Sequence, residues 1–287
     1  MFQDYLFYGT DVETKYAFRM CNLSAIVNSA VKCHELNQHR GVLLGDVLLS
    51  GVLLSSLLED DERINLRVQL GSDFSIASET TRHAEVKGYF EADPSSPFME
   101  TVDEGCAFEG ELFVRSMRAK SVAESKVFEG VTKSFAASIQ DAVNHHVEQS
   151  YQINAKLRVD TWFDDIAKEF RSFGVVFLEL PNLEAQISKS LWDHVDALPK
   201  MKSLWGQSSD PDILARALIP HELRAIRSAK PVWTCSCSQQ TVERTLGSLC
   251  APEIVELIAS PEPIEVKCHY CGRKYLVSKD TLRSFCV

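Results

Sequence analysis

The sequence contains no glycine-rich phosphate loop, no Gly-x-Ser-x-Gly elbow and no His-Glu-x-x-His pair. Those absences remove the common signatures of nucleotide hydrolysis, serine esterase and metalloprotease chemistry. The chain is accordingly expected not to be an enzyme. Basic residues are also in deficit: 30 Lys and Arg face 40 Asp and Glu, a formal net charge of -10 at pH 7. Phosphate backbones and anionic lipids repel such a chain unless it carries a local basic patch, so neither nucleic acid nor membrane is expected as a partner. The opening MFQDYLFYGTDVETKY lacks a basic stretch followed by an apolar one, so no secretory signal is expected. The expected compartment is a reducing cytoplasm, where thiols persist.

Long apolar runs are scarce too. The nearest to one is GVLLGDVLLSGVLLSSLLED, from Gly41 to Asp60. Its apolar part is shorter than the roughly twenty residues a membrane span requires, and Asp46 interrupts it. A buried core helix is expected there. Internal repeats and low-complexity tracts are absent as well.

What is present is ample core material, with 45% hydrophobic residues, 15 Phe and 4 Trp. Three regions separate by pattern. In the first, residues 1–180, helical and strand periods alternate. Ser24 is placed to cap a helix through Ile26, Val27, Ala30, Val31 and Leu36, and a second helix follows over Val42–Leu58. Arg63–Leu70 alternates as a strand. Phe74–Ala77, Ala84–Phe90, Glu111–Met117, Lys156–Val159 and Val175–Leu180 read as further strands, and Phe135–Gln149 as a helix. This order predicts an α+β domain with a largely antiparallel sheet. The second region, 181–231, reads as short amphipathic helices broken by Pro and Gly, with little strand signal. Such a linker must dock on something to stay folded. His145 and His146 precede Glu148 on the third predicted helix and read as a solvated face; adjacent helical positions point too far apart to share a metal.

Cysteine carries the chemistry. Of the 9 cysteines, Cys21, Cys33 and Cys106 fall in the first region and read as ordinary core residues. The remainder crowd into the third region, 232–287. There Cys235 and Cys237 form a C-x-C, and Cys268 and Cys271 a C-x-x-C followed by Gly272. Two thiolates on a tight turn can grip one metal, and glycine permits the positive φ that aims backbone N–H groups at sulfur. About thirty residues separate the pairs, enough for a small helical insertion closing a four-cysteine zinc site. Cys250 reads as a buried small hydrophobe and Cys286 as an exposed tail thiol.

Such a site can be a structural staple or a switch. Four thiolates around Zn2+ carry a net charge of about −2 and stay deprotonated, hence nucleophilic toward peroxide or hypochlorous acid. Each also has a resolving partner two or three residues away. Spacing permits the switch without requiring it. Two other readings remain open. One is a zinc-ribbon nucleic-acid or adaptor module using Arg273 and Lys274, although charges are evenly matched from Pro231 onward. The other is a thiol–disulfide oxidoreductase using Cys268 and Cys271, although no thioredoxin-like pattern precedes them.

At these cysteines the sequence resembles the redox-regulated bacterial chaperones called the thirty-three-kilodalton heat-shock proteins. KPVWTCSCS (230–238) and IEVKCHYCGRKYLV (264–277) carry the likeness most strongly. Upstream, VKGYF at Val86–Phe90, SYQI at Ser150–Ile153 and FGVVFLELP at Phe173–Pro181 match family segments. The resemblance implies a substrate-binding core, a helical linker and a C-terminal zinc domain. It further implies that Cys235, Cys237, Cys268 and Cys271 hold one Zn2+ in an inactive reduced form. Oxidation would pair Cys235 with Cys237 and Cys268 with Cys271, release the metal and unfold the linker. The implied partners are unfolded client proteins, with a monomer when reduced and a homodimer when oxidised. Departures occur at Gly71-Ser72-Asp73-Phe74, where the family carries Gly-Asp-Gly-Pro, at Phe173, which replaces one glycine of a Gly-Gly pair, and at Ser-Gln-Gln after the C-x-C in place of Ser-Arg-Glu.

Overall fold

The computed structural model describes residues 3–11, 16–59, 62–71, 74–93, 110–119, 127–151, 153–181, 183–205, 208, 210–219, 223–249 and 251–285. The chain divides into two compact units, Met1–Trp233 and Thr234–Val287. The architecture is α+β with antiparallel sheets, as expected.

In the first unit the order is β1 (Tyr5–Asp11), β2 (Tyr16–Asn22), α1 (Ser24–His34), α2 (Gln38–Ser55), β3 (Arg63–Leu70), β4 (Phe74–Thr81), β5 (Glu85–Ala92), β6 (Gly110–Ala119) and β7 (Val127–Ala136). It continues with α3 (Ile139–Ser150), β8 (Ala155–Asp164), β9 (Glu169–Glu179), α4 (Ala185–Ala197), α5 (Met201–Trp205), α6 (Pro211–Leu218), β10 (Leu223–Ala229) and β11 (Val232–Trp233). One sheet has five strands in the order β10-β1-β2-β9-β8, the other six in the order β11-β5-β4-β3-β6-β7. Every pair is antiparallel except β11 with β5. The two sheets share one filling. Helix α2 packs on strands of both, and Leu44, Leu48, Leu49, Leu53 and Leu54 are fully buried between them.

That position explains the apolar run at Gly41–Asp60. A Cβ on Gly45 would strike Thr161 of β8, and one on Gly51 would strike Ser78 of β4, so small residues on two sides let the helix approach both sheets. The helix is buried by sheets rather than by lipid. No helix among the described residues is long and apolar enough to cross a membrane.

The five-stranded sheet is covered on both faces. Leu6, Tyr8, Cys21, Leu157 and Val176 face the α2 core, while Phe18, Met20, Phe173, Val175 and Phe177 face a second cluster. Strand β9 is therefore buried on both sides through most of its length, which is why it reads as a continuous apolar run rather than an alternating one. Helices α4 to α6 cover the second cluster with Leu191, Val195, Leu198, Met201, Leu204, Trp205, Leu214 and Leu218. Polar contacts from one face of edge strand β8 hold them there. Arg158 donates to the carbonyls of Val195 (2.9 Å) and Leu198 (2.8 Å). Asp160 accepts from the Lys202 amide at 3.0 Å, and Lys156 pairs with Asp196.

Several expectations need correction. Ser24 does not cap α1: its hydroxyl donates to Asn22 at 2.6 Å. Instead the Asp4 carboxylate, from before β1, accepts from the amides of Ala25 (2.8 Å) and Ile26 (2.9 Å). A cap supplied from so far away in sequence leaves no local signature. Phe135 belongs to strand β7, which ends at Ala136, and α3 begins only after Ser138, whose hydroxyl accepts from Asp141 N at 3.1 Å. The strands β1, β2, β7 and β10 were not anticipated. Strand β10 lies inside the region read as helical; its sequence LRAIRSA has no alternation, and it is held by pairing with the edge of β1. His146 is not on a solvated face. It is fully buried, with Nδ1 2.9 Å from Thr132 Oγ1 and Nε2 2.8 Å from Ser116 Oγ. Burial lowers its pKa from 6.5 to about 4. Cys21 is buried and Cys33 half-buried. Cys106, Cys250, Cys286, Ser72, Asp73 and Gln152 lie outside the described residues.

Candidate metal centre

The second unit is built from α7 (Gln239–Leu246), α8 (Ala251–Ala259), β12 (Ile264–Lys267), β13 (Lys274–Val277) and α9 (Lys279–Arg283). Its apolar core is slight: Val242, Ile254, Ile264, Tyr275, Val277 and Leu282 are the buried members. Serines start two of the helices, Ser238 accepting from Thr241 N and Ser278 from Thr281 N, each at 3.1 Å. Side-chain oxygens there satisfy amides that a helix cannot pair internally.

Strands β12 and β13 form an antiparallel hairpin with Lys267 opposite Lys274. The turn between them carries Cys268 and Cys271. Cys268 N donates to Arg273 O at 2.8 Å and Gly272 N to Cys268 O at 2.9 Å, closing a tight knuckle. Gly272 holds φ at 68°, the left-handed region that glycine enters without strain. The sulfurs receive backbone donors, Arg273 N–H on Cys271 and, in the C-x-C, Cys237 N–H on Cys235.

All four sulfurs, of Cys235, Cys237, Cys268 and Cys271, lie within 4.8 Å of one another. Between the two motifs the sulfurs stand 3.6 Å apart for Cys235–Cys268 and 3.3 Å for Cys237–Cys271. Four ligands about 2.3 Å from a tetrahedral zinc would stand about 3.8 Å apart, so the cluster has the size such an ion needs. These four can hold a metal ion.

Two neighbours tune the sulfurs: Tyr275, not singled out from sequence, and Arg273, considered there only as a nucleic-acid contact. Tyr275 Oη donates to Cys237 Sγ at 3.0 Å, and Arg273 bonds Tyr275 in turn. Burial pushes the Cys235 thiol up to about 12 and raises Cys271. Burial also opposes ionisation of Cys237, yet hydrogen bonds led by Tyr275 bring it down to about 7. The signal for Tyr275 lay in its place on β13: four residues after Cys271, it turns inward beside Val277. Of the two cations considered for a nucleic-acid reading, Arg273 serves the knuckle and Lys274 pairs with Glu265 at 2.8 Å.

Comparison with known proteins gives a consistent result. The model of the family described as Hsp33 protein matches residues 4–278. A 33 kDa chaperonin of Geobacter sp. (strain M21) is 22% identical over 272 residues, covering 92% of this chain and 90% of that one. A 33 kDa chaperonin of Desulfotalea psychrophila is 23% identical over 264 residues, covering 89% and 87%. Among solved structures, the crystal structure of the 33 kDa chaperonin (heat shock protein 33 homolog) from Thermotoga maritima superposes with a TM-score of 0.84. It covers 99% of this chain and 98% of the other at 19% identity, a likeness of fold.

Proposed function

Because the chain belongs to the Hsp33 family, we propose that it is a redox-regulated chaperone that holds unfolding proteins without ATP. In this reading residues 1–180 form the substrate-binding core, 181–231 a releasable helical linker and 232–287 the redox domain. Cys235, Cys237, Cys268 and Cys271 hold one Zn2+ as thiolates in the inactive reduced form. The observation that carries the reading is the convergence of four sulfurs from two separate motifs within 4.8 Å.

A bound zinc ion supplies the charge that keeps all four sulfurs ionised and therefore nucleophilic. Each neighbouring pair can then reduce one peroxide. The first thiolate takes a hydroxyl from peroxide to become a sulfenic acid and releases hydroxide. The second attacks that sulfur, forming the S–S bond and releasing another hydroxide. The pairs are Cys235–Cys237 and Cys268–Cys271. Sulfurs joined in this way no longer serve as thiolate ligands. The small apolar core of the second unit is then deprived of metal binding worth ~10–16 kcal/mol, and the unit unfolds.

Strand β11, two residues long, ends at Trp233, directly before this unit. Its loss and that of β10 would loosen α4 to α6 from the five-stranded sheet. Tyr16, Phe18, Met20, Phe173 and Phe177 lie beneath those helices. Aromatic side chains present about 150–250 Å² each, so their exposure creates an apolar patch larger than the few hundred Å² usual on a monomer. Unfolded cytoplasmic clients, and in the active form a second copy of the chain, are the partners such a patch takes.

Light scattering from a heat-unfolded client provides the test. Protein treated with peroxide at the unfolding temperature is expected to suppress aggregation, and reduced zinc-loaded protein to leave it unchanged. Equal suppression by both forms would end the redox reading. Peptide mapping of the oxidised form separates the proposed pairs from cross-linked Cys235–Cys268 and Cys237–Cys271.

A further inference from the structure

The first unit carries a group of arginines that no acidic residue answers among the described residues. Tyr8 stands in the middle of β1, with Arg19 of β2 opposite it on one side and Arg227 of β10 on the other. Their guanidinium carbons lie 4.9 Å and 4.2 Å from the Tyr8 ring centroid. Arg82, after β4, brings a third guanidinium to 5.5 Å and donates from Nη1 to Tyr8 Oη at 2.9 Å and to Ser56 O at 2.8 Å. A bulge in the β1–β10 pairing adds a fourth: Tyr8 is opposite Arg227, the register shifts between Tyr8 and Gly9, and Thr10 is opposite Arg224. Residues three apart on a regular strand face opposite ways, whereas the bulge turns Arg224 and Arg227 to the same face.

Several other cations of this unit are paired, as in Arg115–Glu129, Lys133–Glu111, Lys87–Glu79 and Arg171–Asp164. Neither the three arginines at Tyr8 nor Arg224 opposite Thr10 forms an ion pair among the described residues. Burial lowers the basicity of Arg19 to about 10, and repulsion from Arg82 and Arg227 adds to the effect against the attraction of Tyr8. The Nε donors of Arg19 and Arg82 are buried without an acceptor. Their Nη2 donors are neither buried nor hydrogen-bonded, so they open to solvent together with exposed Arg227. Grouping unpaired cations costs electrostatic energy, which a bound anion would recover.

We propose that Arg19, Arg82, Arg224 and Arg227, arranged around Tyr8, form a binding site for a small compound carrying two or more linked phosphate groups. Guanidinium forks match phosphate oxygens two at a time, and phosphate supplies more charge and more acceptors than a carboxylate. Strands β2 and β10 flank β1 about 10 Å apart, wider than one phosphate group and suited to a diphosphate or longer anion. The site uses no residue of the cysteine unit and does not depend on the redox reading.

Isothermal titration of the reduced, metal-loaded full chain with sodium pyrophosphate tests it. Saturable one-site binding is expected, at least about tenfold tighter than that of orthophosphate. Arg227→Gln and Arg224→Gln, both at exposed positions, should each weaken pyrophosphate about tenfold with an unchanged far-UV circular dichroism spectrum. Arg244→Gln in the cysteine unit should leave binding unaltered. ADP serves as a second probe: tighter binding than pyrophosphate assigns the site to a nucleotide, and equal binding to an inorganic chain. Absence of binding at millimolar pyrophosphate, or binding undiminished in both β10 variants, overturns the proposal.

Discussion

The two units of this chain differ in what they bury. Residues Met1–Trp233 bury leucines, valines and phenylalanines in two extended clusters on either side of one sheet. The described residues of Thr234–Val287 bury six apolar side chains and cluster four sulfurs. Burial is a property of many side chains, each contributing about 1.5–3 kcal/mol, and no single chemical event removes it. A metal centre of the proposed kind would concentrate ~10–16 kcal/mol in four atoms that one oxidant can alter. On the proposed reading, one unit endures stress and the other reports it.

The largest expected effect tests the division directly. Removing metal from the reduced chain with a strong chelator should withdraw ~10–16 kcal/mol from the second unit alone. Limited proteolysis should then digest the chain beyond Trp233 and leave a resistant fragment containing α2. Equal resistance of both units would show that the apolar core of the second suffices. Next in size is a cavity in the first unit: Leu53→Ala, at a fully buried position of α2, should cost about 2–5 kcal/mol in urea unfolding, with metal content unchanged.

The core also has its own sensitivity, to protons rather than oxidants. Unfolded, the His146 imidazole binds a proton near 6.5; folded, only near 4. Its contribution is therefore intact above pH 6.5 and drains as pH falls toward 4, by about 3 kcal/mol at most. Asp4 and Asp46, raised by burial to about 6 and about 7, act in the opposite sense over an overlapping range. The readout is thus the difference in slope of stability against pH between the natural chain and His146→Gln, which should lose less stability as pH falls from 6.5 toward 4. Identical slopes would refute it. The smallest effect belongs to the metal side. Tyr275→Phe deletes the hydroxyl donor to Cys237 and should weaken metal affinity by about 10–100-fold in a competition titration, leaving urea unfolding of the first unit unaltered.

Legibility in the sequence followed the range of the interaction. Strand β3 was readable residue for residue because Ile64, Leu66, Val68 and Leu70 alternate under one sheet face. The knuckle was readable because Cys268, Cys271 and Gly272 form one turn. Strand β10 was hidden because its partner is β1, at the other end of the unit. His146 was misread for a similar reason: its hydrogen-bond partners, Thr132 and Ser116, come from β7 and β6, so nothing beside it in sequence announces its burial.

By itself, then, the sequence determined which atoms can bind a metal and which segment fills the middle of the core. Ligand spacing on a turn and hydrophobic periodicity are local quantities, written within a few residues. Tertiary structure alone decided that Tyr275 would face Cys237, that Asp4 would cap α1, and that three arginines would gather around Tyr8. Each of those depends on strand register between distant segments, and register is set by the packing of the whole sheet rather than by any one stretch of chain.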